Sequence, residues 1–343
     1  MHVTTMGLDL AKLVFQVHGV DEQGKVVIRK QLRRKEVVGF FANLPSCEIG
    51  MEACSSSHYW ARRLQGLGHQ VKLIAPQFVR PYVKTNKNDA RDAEAICEAV
   101  TRPSMRFVPI KTAEQQAILA LHRARQGFVK ARTAQANQLR SLLAEFGIVF
   151  PQGTRVLLRE VPAILSDDEN GLFASVRELF TRLLAHVKVL DRHVTELEQQ
   201  ITQWHKSSDR SRKLEKVPGI GPITASALVA TIGDAKAFQH GRQLAAWLGL
   251  VPRQHSTGGK TRLRGISKRG DVYLRTLLIH GARSVLRFAA RHTDATTTWL
   301  KRVQTRRNTN IAAVALANKH ARIVWALLAH NREYEPASTV TRP

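Results

Sequence analysis

Acidic residues are scarce in this chain. Its 343 residues carry 27 Asp and Glu against 53 Lys and Arg, a formal net charge of +26. An imbalance of that size speaks to partners rather than to fold, and it points to nucleic acid. Cysteine is scarcer still. Cys47, Cys54 and Cys97 are odd in number and have no CxxC spacing. That pattern argues against a disulfide framework or a zinc knuckle and fits a reducing cytoplasm. Long apolar runs are missing too. Stretches such as residues 244–250 fall far short of the roughly 20 residues a membrane helix needs, so no membrane partner is expected. Residues 1–5 have neither the basic start nor the small-residue cleavage site of a signal peptide. No GxxxxGK[ST] loop is present to suggest ATP chemistry. Apolar residues, by contrast, are plentiful. At 43% hydrophobic, the chain can build real cores and is no disordered basic tail, and its length suggests about two domains.

The positive charge is unevenly spread. Residues 1–100 hold 14 basic and 10 acidic residues, residues 101–210 hold 16 and 11, and residues 211–343 hold 23 and 6. The excess sits in the last third, as expected of a phosphate-binding face. The nearly balanced first third owes its acids to some other requirement.

That first third reads as alternating strands and helices. Apolar, β-rich runs at residues 3–8, 13–20 and 26–32 are separated by short turns and predict an antiparallel meander. A helical spacing follows at 35–44, then a strand at 48–51, a helix at 57–67, a strand at 71–74 and a helix at 90–100. The order β-β-β-α-β-α-β-α is that of an RNase H-like (RuvC-like) α/β domain, here assigned to residues 1–108. Residues 113–150 and 172–206 are long, helical and poor in Gly and Pro. In the second, Val176, Leu179, Leu183, Val187, Leu190, Val194, Leu197 and Ile201 form an apolar seam with 3-4 spacing. With a connector at 151–171, this predicts an antiparallel coiled coil or dimerisation region over 109–210, or two helices of an ordinary bundle. A mainly helical domain follows over 211–332, then a frayed tail at 333–343.

The acids fall at telling places. Asp9 ends the first strand and Glu52 the fourth, and these strands are neighbours in an RNase H-like sheet. Asp89 and Asp92 lie three apart at a helix start and can reach the same edge. Carboxylates crowded in this way repel one another unless cations bind, and their hard oxygens suit Mg²⁺ or Mn²⁺. A pair of such ions can stabilise the attacking and leaving oxygens of a phosphoryl transfer. Asp89 as an N-cap and Asp92 as a first-turn helix acid are the simpler alternatives for those two residues.

Two further motifs lie in the basic third. Val217-Pro218-Gly219-Ile220-Gly221-Pro222 ahead of a helix resembles a helix-hairpin-helix, in which Gly219 and Gly221 free backbone N–H groups for a phosphate. Such a motif grips the backbone and does not read sequence. Residues 253–270 read as a loop rich in glycine and cations: Arg253, Lys260, Arg262, Arg264, Lys268 and Arg269 surround Ser256 and Thr257. A serine there is either a nucleophile on a phosphodiester or a hydroxyl donor to phosphate in a mobile basic loop.

Taken together, these pieces resemble the DEDD-type (RuvC-like) transposases of bacterial insertion sequences, relatives of the Piv invertase and of the bridge-RNA-guided recombinases. The matching segments are Gly7-Leu8-Asp9-Leu10-Ala11-Lys12, Gly50-Met51-Glu52-Ala53-Cys54, Asn86-Lys87-Asn88-Asp89-Ala90-Arg91-Asp92-Ala93, Pro218-Gly219-Ile220-Gly221-Pro222, Trp247-Leu248-Gly249-Leu250 leading into His255-Ser256-Thr257-Gly258-Gly259-Lys260, and Gly265-Ile266-Ser267-Lys268-Arg269-Gly270. They span nearly the whole chain in the family's order. The resemblance implies a RuvC-like domain, a coiled coil and a transposase domain. It places the family's acidic set on Asp9, Glu52, Asp89 and Asp92, holding Mg²⁺. It places the serine that attacks DNA to form a 5′-phosphoserine on Ser256. It also implies donor and target DNA, a noncoding guide RNA from the same element, and dimers assembling into tetramers, acting in the bacterial cytoplasm at the nucleoid. Many relatives have Ser-Ser where this chain has Ser256-Thr257, so the nucleophile aligns with either position. Ser256 is preferred because Thr257 is β-branched.

These readings converge on a transposase, a site-specific recombinase that cleaves and rejoins DNA. One rival is a RuvC-like nuclease or junction resolvase that hydrolyses DNA with no covalent intermediate and needs the acids but not Ser256. Another is a nucleic-acid-binding module with a decayed acidic site.

Overall fold

The computed structural model describes residues 2–84 and 89–336. Asn86, Lys87 and Asn88 of the third matching segment, and residues 337–343 of the tail, lie outside that set. The chain divides into two compact units, with the boundary between Gln116 and Ala117.

The first unit is built on a six-stranded mixed sheet of order β3-β2-β1-β4-β5-β6. Its strands are β1 (Thr5–Leu10), β2 (Val14–Val20), β3 (Val26–Arg33), β4 (Glu48–Glu52), β5 (Gln70–Ile74) and the short β6 (Phe107–Val108). The helices are α1 (Val37–Ala42), α2 (Ser57–Gln65), α3 (Pro76–Val79) and α4 (Asp89–Val100). β1, β2 and β3 form the expected antiparallel meander, β4 joins β1 in parallel, β5 joins β4 in parallel, and β6 runs antiparallel to β5. Alternation decides the faces. Met6, Leu8, Phe15, Val17, Ile49 and Met51 point into a core closed by Val37 and Phe41 of α1 and Trp60, Ala61 and Leu64 of α2. Phe15 meets Trp60 edge-on at 5.1 Å. The other face is covered by α4. The arrangement is compatible with an RNase H-like fold. β6 and α3 are the elements the sequence pattern did not announce.

The second unit is helical apart from one hairpin. α5 (Ala113–Ala144), α6 (Thr154–Ser166) and α7 (Ala174–Ser207) pack through Leu139, Leu143, Leu157, Val161, Phe180 and Leu184. Ion pairs Arg125–Glu198 and Arg132–Asp191 tie α5 to α7 in antiparallel register. The expected seam is displaced at its start. Phe180 and Leu184 are buried and Leu179 is 47% exposed, because α6 packs there as a third helix and turns the buried face toward itself. The segment 151–171 is likewise no plain connector. α6 forms despite Pro162, since Leu157 and Val161 bury completely.

The C-terminal helices α8 (Asp209–Glu215), α9 (Pro222–Ile232), α10 (Gly241–Trp247), α11 (Val272–Phe288), α12 (Ala295–Gln304) and α13 (Thr309–His330) share one core. α13 alone among the described helices is long and apolar enough to cross a membrane by length and composition. Its Ala312, Ala313, Leu316, Ala317, Ala321 and Val324 are fully buried in that core, which accounts for its composition. Residues 253–270, read from sequence as a loop, instead contain the antiparallel pair β7 (Pro252–Thr257) and β8 (Lys260–Ile266). Gly258 and Gly259, both at positive φ, make its two-residue turn.

Candidate functional site

The acidic site begins with two glycines. Gly7 on β1 and Gly50 on β4 are register partners facing α4. A Cβ on Gly7 would lie 2.0 Å from the Ala93 carbonyl oxygen and 2.5 Å from the Cys97 nitrogen. Only a residue without a side chain lets the helix come this close. Two residues further along each strand, on the same face, stand Asp9 and Glu52, while Leu8 and Met51 between them are fully buried on the opposite face. The close approach of α4 brings its first turn, with Asp89 and Asp92, to the same sheet edge. Carboxylate oxygens of Asp9, Asp89 and Asp92 lie within 4.8 Å of one another. Glu52 stands close enough to act on Asp9 by charge. Burial, then the charges of Asp92, Asp89 and Glu52, push the Asp9 carboxyl from 3.8 up to about 6.

That donor set fits a divalent cation. It offers hard oxygens from two elements, and it concentrates negative charge that a cation would relieve. The thiols nearby do not compete. Cys97, buried against the sheet, is pushed up to about 12, chiefly by that burial.

Ser256 lies in the second unit, on the β7–β8 ribbon, every residue of which is exposed except the half-buried Ile266. Its Oγ accepts a hydrogen bond from Gln254 Nε2 at 2.7 Å and lies 3.5 Å from Thr261 Oγ1. Ser256 pairs with Thr261 and Gln254 with Leu263, so these four share one face. Thr257, His255, Lys260 and Arg262 share the other. The two candidate hydroxyls therefore point to opposite sides of the ribbon. Arg253, Lys260, Arg262, Arg264, Lys268 and Arg269 are all exposed. The base of the ribbon is held by Arg275, buried at 8% exposure, whose guanidinium donates to the carbonyls of Leu248 and Arg269 on the two flanks. Nothing in the sequence marked Arg275 among so many other arginines.

Gly219 has a structural duty. It sits at φ +85, and a Cβ there would meet the Gly281 carbonyl oxygen on α11 at 2.7 Å. Gly221 precedes α9 with open space around its Cα.

Comparison with known proteins agrees with this layout. Residues 6–148 match a DEDD-type family model described as "Transposase", and residues 211–297 match "Transposase IS116/IS110/IS902 family". The chain is 54% identical over 337 residues to a "Probable family 20 transposase" of Pseudomonas aeruginosa, covering 98% of this chain and all of the relative. It is 44% identical to the transposase for insertion sequence element IS1111A of Coxiella burnetii, over 97% of this chain and 91% of the relative. It is also 44% identical to that for IS1328 of Yersinia enterocolitica, over 95% and 97%. With acidic residues meeting at one sheet edge and relatives matched from end to end, the chain belongs to the IS116/IS110/IS902 family of insertion-sequence transposases and is a DNA transposase.

Proposed function

We propose that this transposase cuts and rejoins DNA through a phosphoserine on Ser256, with Asp9, Glu52, Asp89 and Asp92 as its metal-binding acids. The observation that carries the reading is the convergence of Asp9, Asp89 and Asp92 within 4.8 Å. A DEDD-type transposase implies divalent metal use in general, and Mg²⁺ or Mn²⁺ held by these acids would neutralise charge developing on the transferring phosphate.

In this reading Ser256 Oγ attacks the scissile phosphorus. The Oγ–P bond forms, the P–O3′ bond breaks, and the serine proton passes to the departing 3′ oxygen. A 3′-hydroxyl from the partner duplex then attacks the phosphoserine. The new O3′–P bond forms as P–Oγ breaks, and the serine recovers its proton. Bond energy is conserved through the ester, so no ATP is consumed. Gln254 holds Oγ in place by its hydrogen bond. The cations Arg253, Lys260, Arg262, Arg264, Lys268 and Arg269, with the N–H groups at Gly219 and Gly221, grip nucleic-acid backbone. A guide RNA encoded by the same element selects donor and target by base pairing, so that specificity lies outside these side chains. Residues 109–210 serve dimer and then tetramer assembly. Exposed apolar side chains at Phe173, Leu179 and Val189 support that role.

The test is covalent trapping. Wild type, Ser256→Ala, Thr257→Ala and Asp9→Ala are incubated with Mg²⁺, the element's junction DNA labelled 3′ of the cut, and its RNA, and then run on a denaturing protein gel. A labelled protein band lost in Ser256→Ala and Asp9→Ala is the expected result. Free cut DNA with no adduct, made equally well by Ser256→Ala, would establish the hydrolytic nuclease instead. A band lost only in Thr257→Ala and Asp9→Ala would move the nucleophile by one residue.

A further inference from the structure

A cleft of about 1570 Å³ opens in the second unit between β8, α10 and α13. Ligand pockets usually measure roughly 300–1,000 Å³, so this one suits an extended ligand. Arg242, Arg264, Lys268, Arg307, Lys319 and Arg322 line it, and no carboxylate does. None of the six forms an ion pair among the described residues. Only Arg264 and Lys268 of these belong to the serine ribbon and its flank.

The walls between the cations are apolar. Leu263 is 66% exposed and Ile311 47% exposed. Beside them stand the half-buried Trp299 and Ile323. Lys319 Nζ lies 5.0 Å over the Trp299 ring. Burial, and after it the charge of Arg322, holds the Lys319 amine below its usual range, against the pull of Asp294.

Cations of one sign around aromatic and aliphatic surface are the requirements of a strand whose bases are unpaired. An intact duplex presents phosphates outward and keeps its base faces stacked within, leaving Leu263, Ile311 and Trp299 nothing apolar to meet. An unpaired strand offers both a phosphate row and flat base faces. We infer that this cleft holds a single strand of DNA, its bases against Trp299 and its phosphates on Arg307, Arg322 and Lys319. Because β8 lines both the cleft and the serine ribbon, the bound strand would be one that separates from its complement during exchange. The inference rests on the reading of the chain as a strand-exchange enzyme, but its test needs neither metal nor cleavage.

The full chain is titrated in chelator with fluorescein-labelled oligo(dT) and with a blunt duplex of the same length, read by anisotropy. Trp299→Ala is expected to weaken oligo(dT) roughly 10-fold while leaving the duplex within about twofold. Trp299→Phe, which keeps an aromatic face, restores most of the loss. Arg307→Gln with Arg322→Gln, both exposed positions, lowers the salt slope for oligo(dT) by about 1.4. Equal losses for single strand and duplex, no loss in either variant, or oligo(rU) displacing oligo(dT) at a tenth of its concentration would each overturn the assignment. The Ser256 adduct is scored separately. Its absence with strand binding intact counts against the proposed chemistry, and its presence with strand binding unaffected by the variants counts against the cleft.

Discussion

If the acidic edge is a metal site, the metal-free protein should be more stable without one of its acids. Asp9→Asn is the cleanest perturbation. It removes the charge, keeps the shape, and keeps an oxygen to accept the bond from the Leu10 backbone. The unfolded chain gives up this proton near 3.8, and the folded chain holds it up to about 6. A raised carboxylate pKa means that the fold prefers the neutral acid. Stability is therefore lost as pH rises through the folded value, and above pH 6 the metal-free fold carries the whole penalty. Two units at about 1.4 kcal/mol each set a ceiling of about 3 kcal/mol. The site is half open to water, and screening reduces that to about 1 kcal/mol. In chelator at pH 7.5, thermal melting of Asp9→Asn should then lie about 2–4 °C above wild type. The advantage should fade as pH falls below 3.8, where Asp9 becomes protonated in the folded and the unfolded chain alike. Added Mg²⁺ or Mn²⁺ should raise wild type and leave the variant nearly unmoved. If Asp9→Asn melts below wild type in chelator at every pH, Asp9 is a structural acid and the metal reading fails.

Three further outcomes follow from the second unit. Gly219→Ala must place a methyl 2.7 Å from the Gly281 carbonyl oxygen at a positive φ, and should cost about 2–4 kcal/mol in urea unfolding. Gly221→Ala has room, so it should fold normally, and any loss of DNA affinity it shows reports on phosphate contact rather than packing. His122, bonded to Tyr273 Oη and Ser226 Oγ, and His320 on α13 are both held by burial at about 4, below the usual 6.5. Their contribution is present above pH 6.5 and is lost as pH falls toward 4, by up to about 3 kcal/mol each. Urea midpoints that stay flat over that window, or a slope unchanged in His122→Gln, would refute this assignment.

The parts of this molecule legible in its sequence are those fixed by local periodicity. The meander and the two long helices follow from alternation and from 3.6-residue spacing, the β1–β4 adjacency follows from the RNase H-like order of elements, and Asp9 and Glu52 could be placed because strand ends fall where alternation stops. What failed was local in a different sense. α6 was hidden by Pro162, a breaker whose effect is overridden where Leu157 and Val161 find a third helix to pack on. The β7–β8 ribbon carried its own signal, Gly258-Gly259 between residues that pair across it, but both of its faces are exposed and it has few large apolar side chains beyond Leu263 and Ile266 to show an alternation.

The division of labour among glycines lies beyond any reading of spacing. Gly7, Gly50, Gly219 and Gly281 look alike in sequence to Gly221, which has space around it. The first two let α4 bring Asp89 and Asp92 to Asp9, and the last pair lets the turn before α9 touch α11. Each depends on a partner tens of residues away, so the requirement exists only once the helices are placed. The same holds for the cleft. Arg264 and Arg322 are separated by most of the C-terminal core, and their charges become one surface because Gly241, with its Cα hydrogens against the Arg322 backbone, lets α10 and α13 close on each other. A composition count locates the excess of positive charge in the last third. Only packing decides which of those cations face a common ligand, and whether apolar side chains stand between them to receive a base.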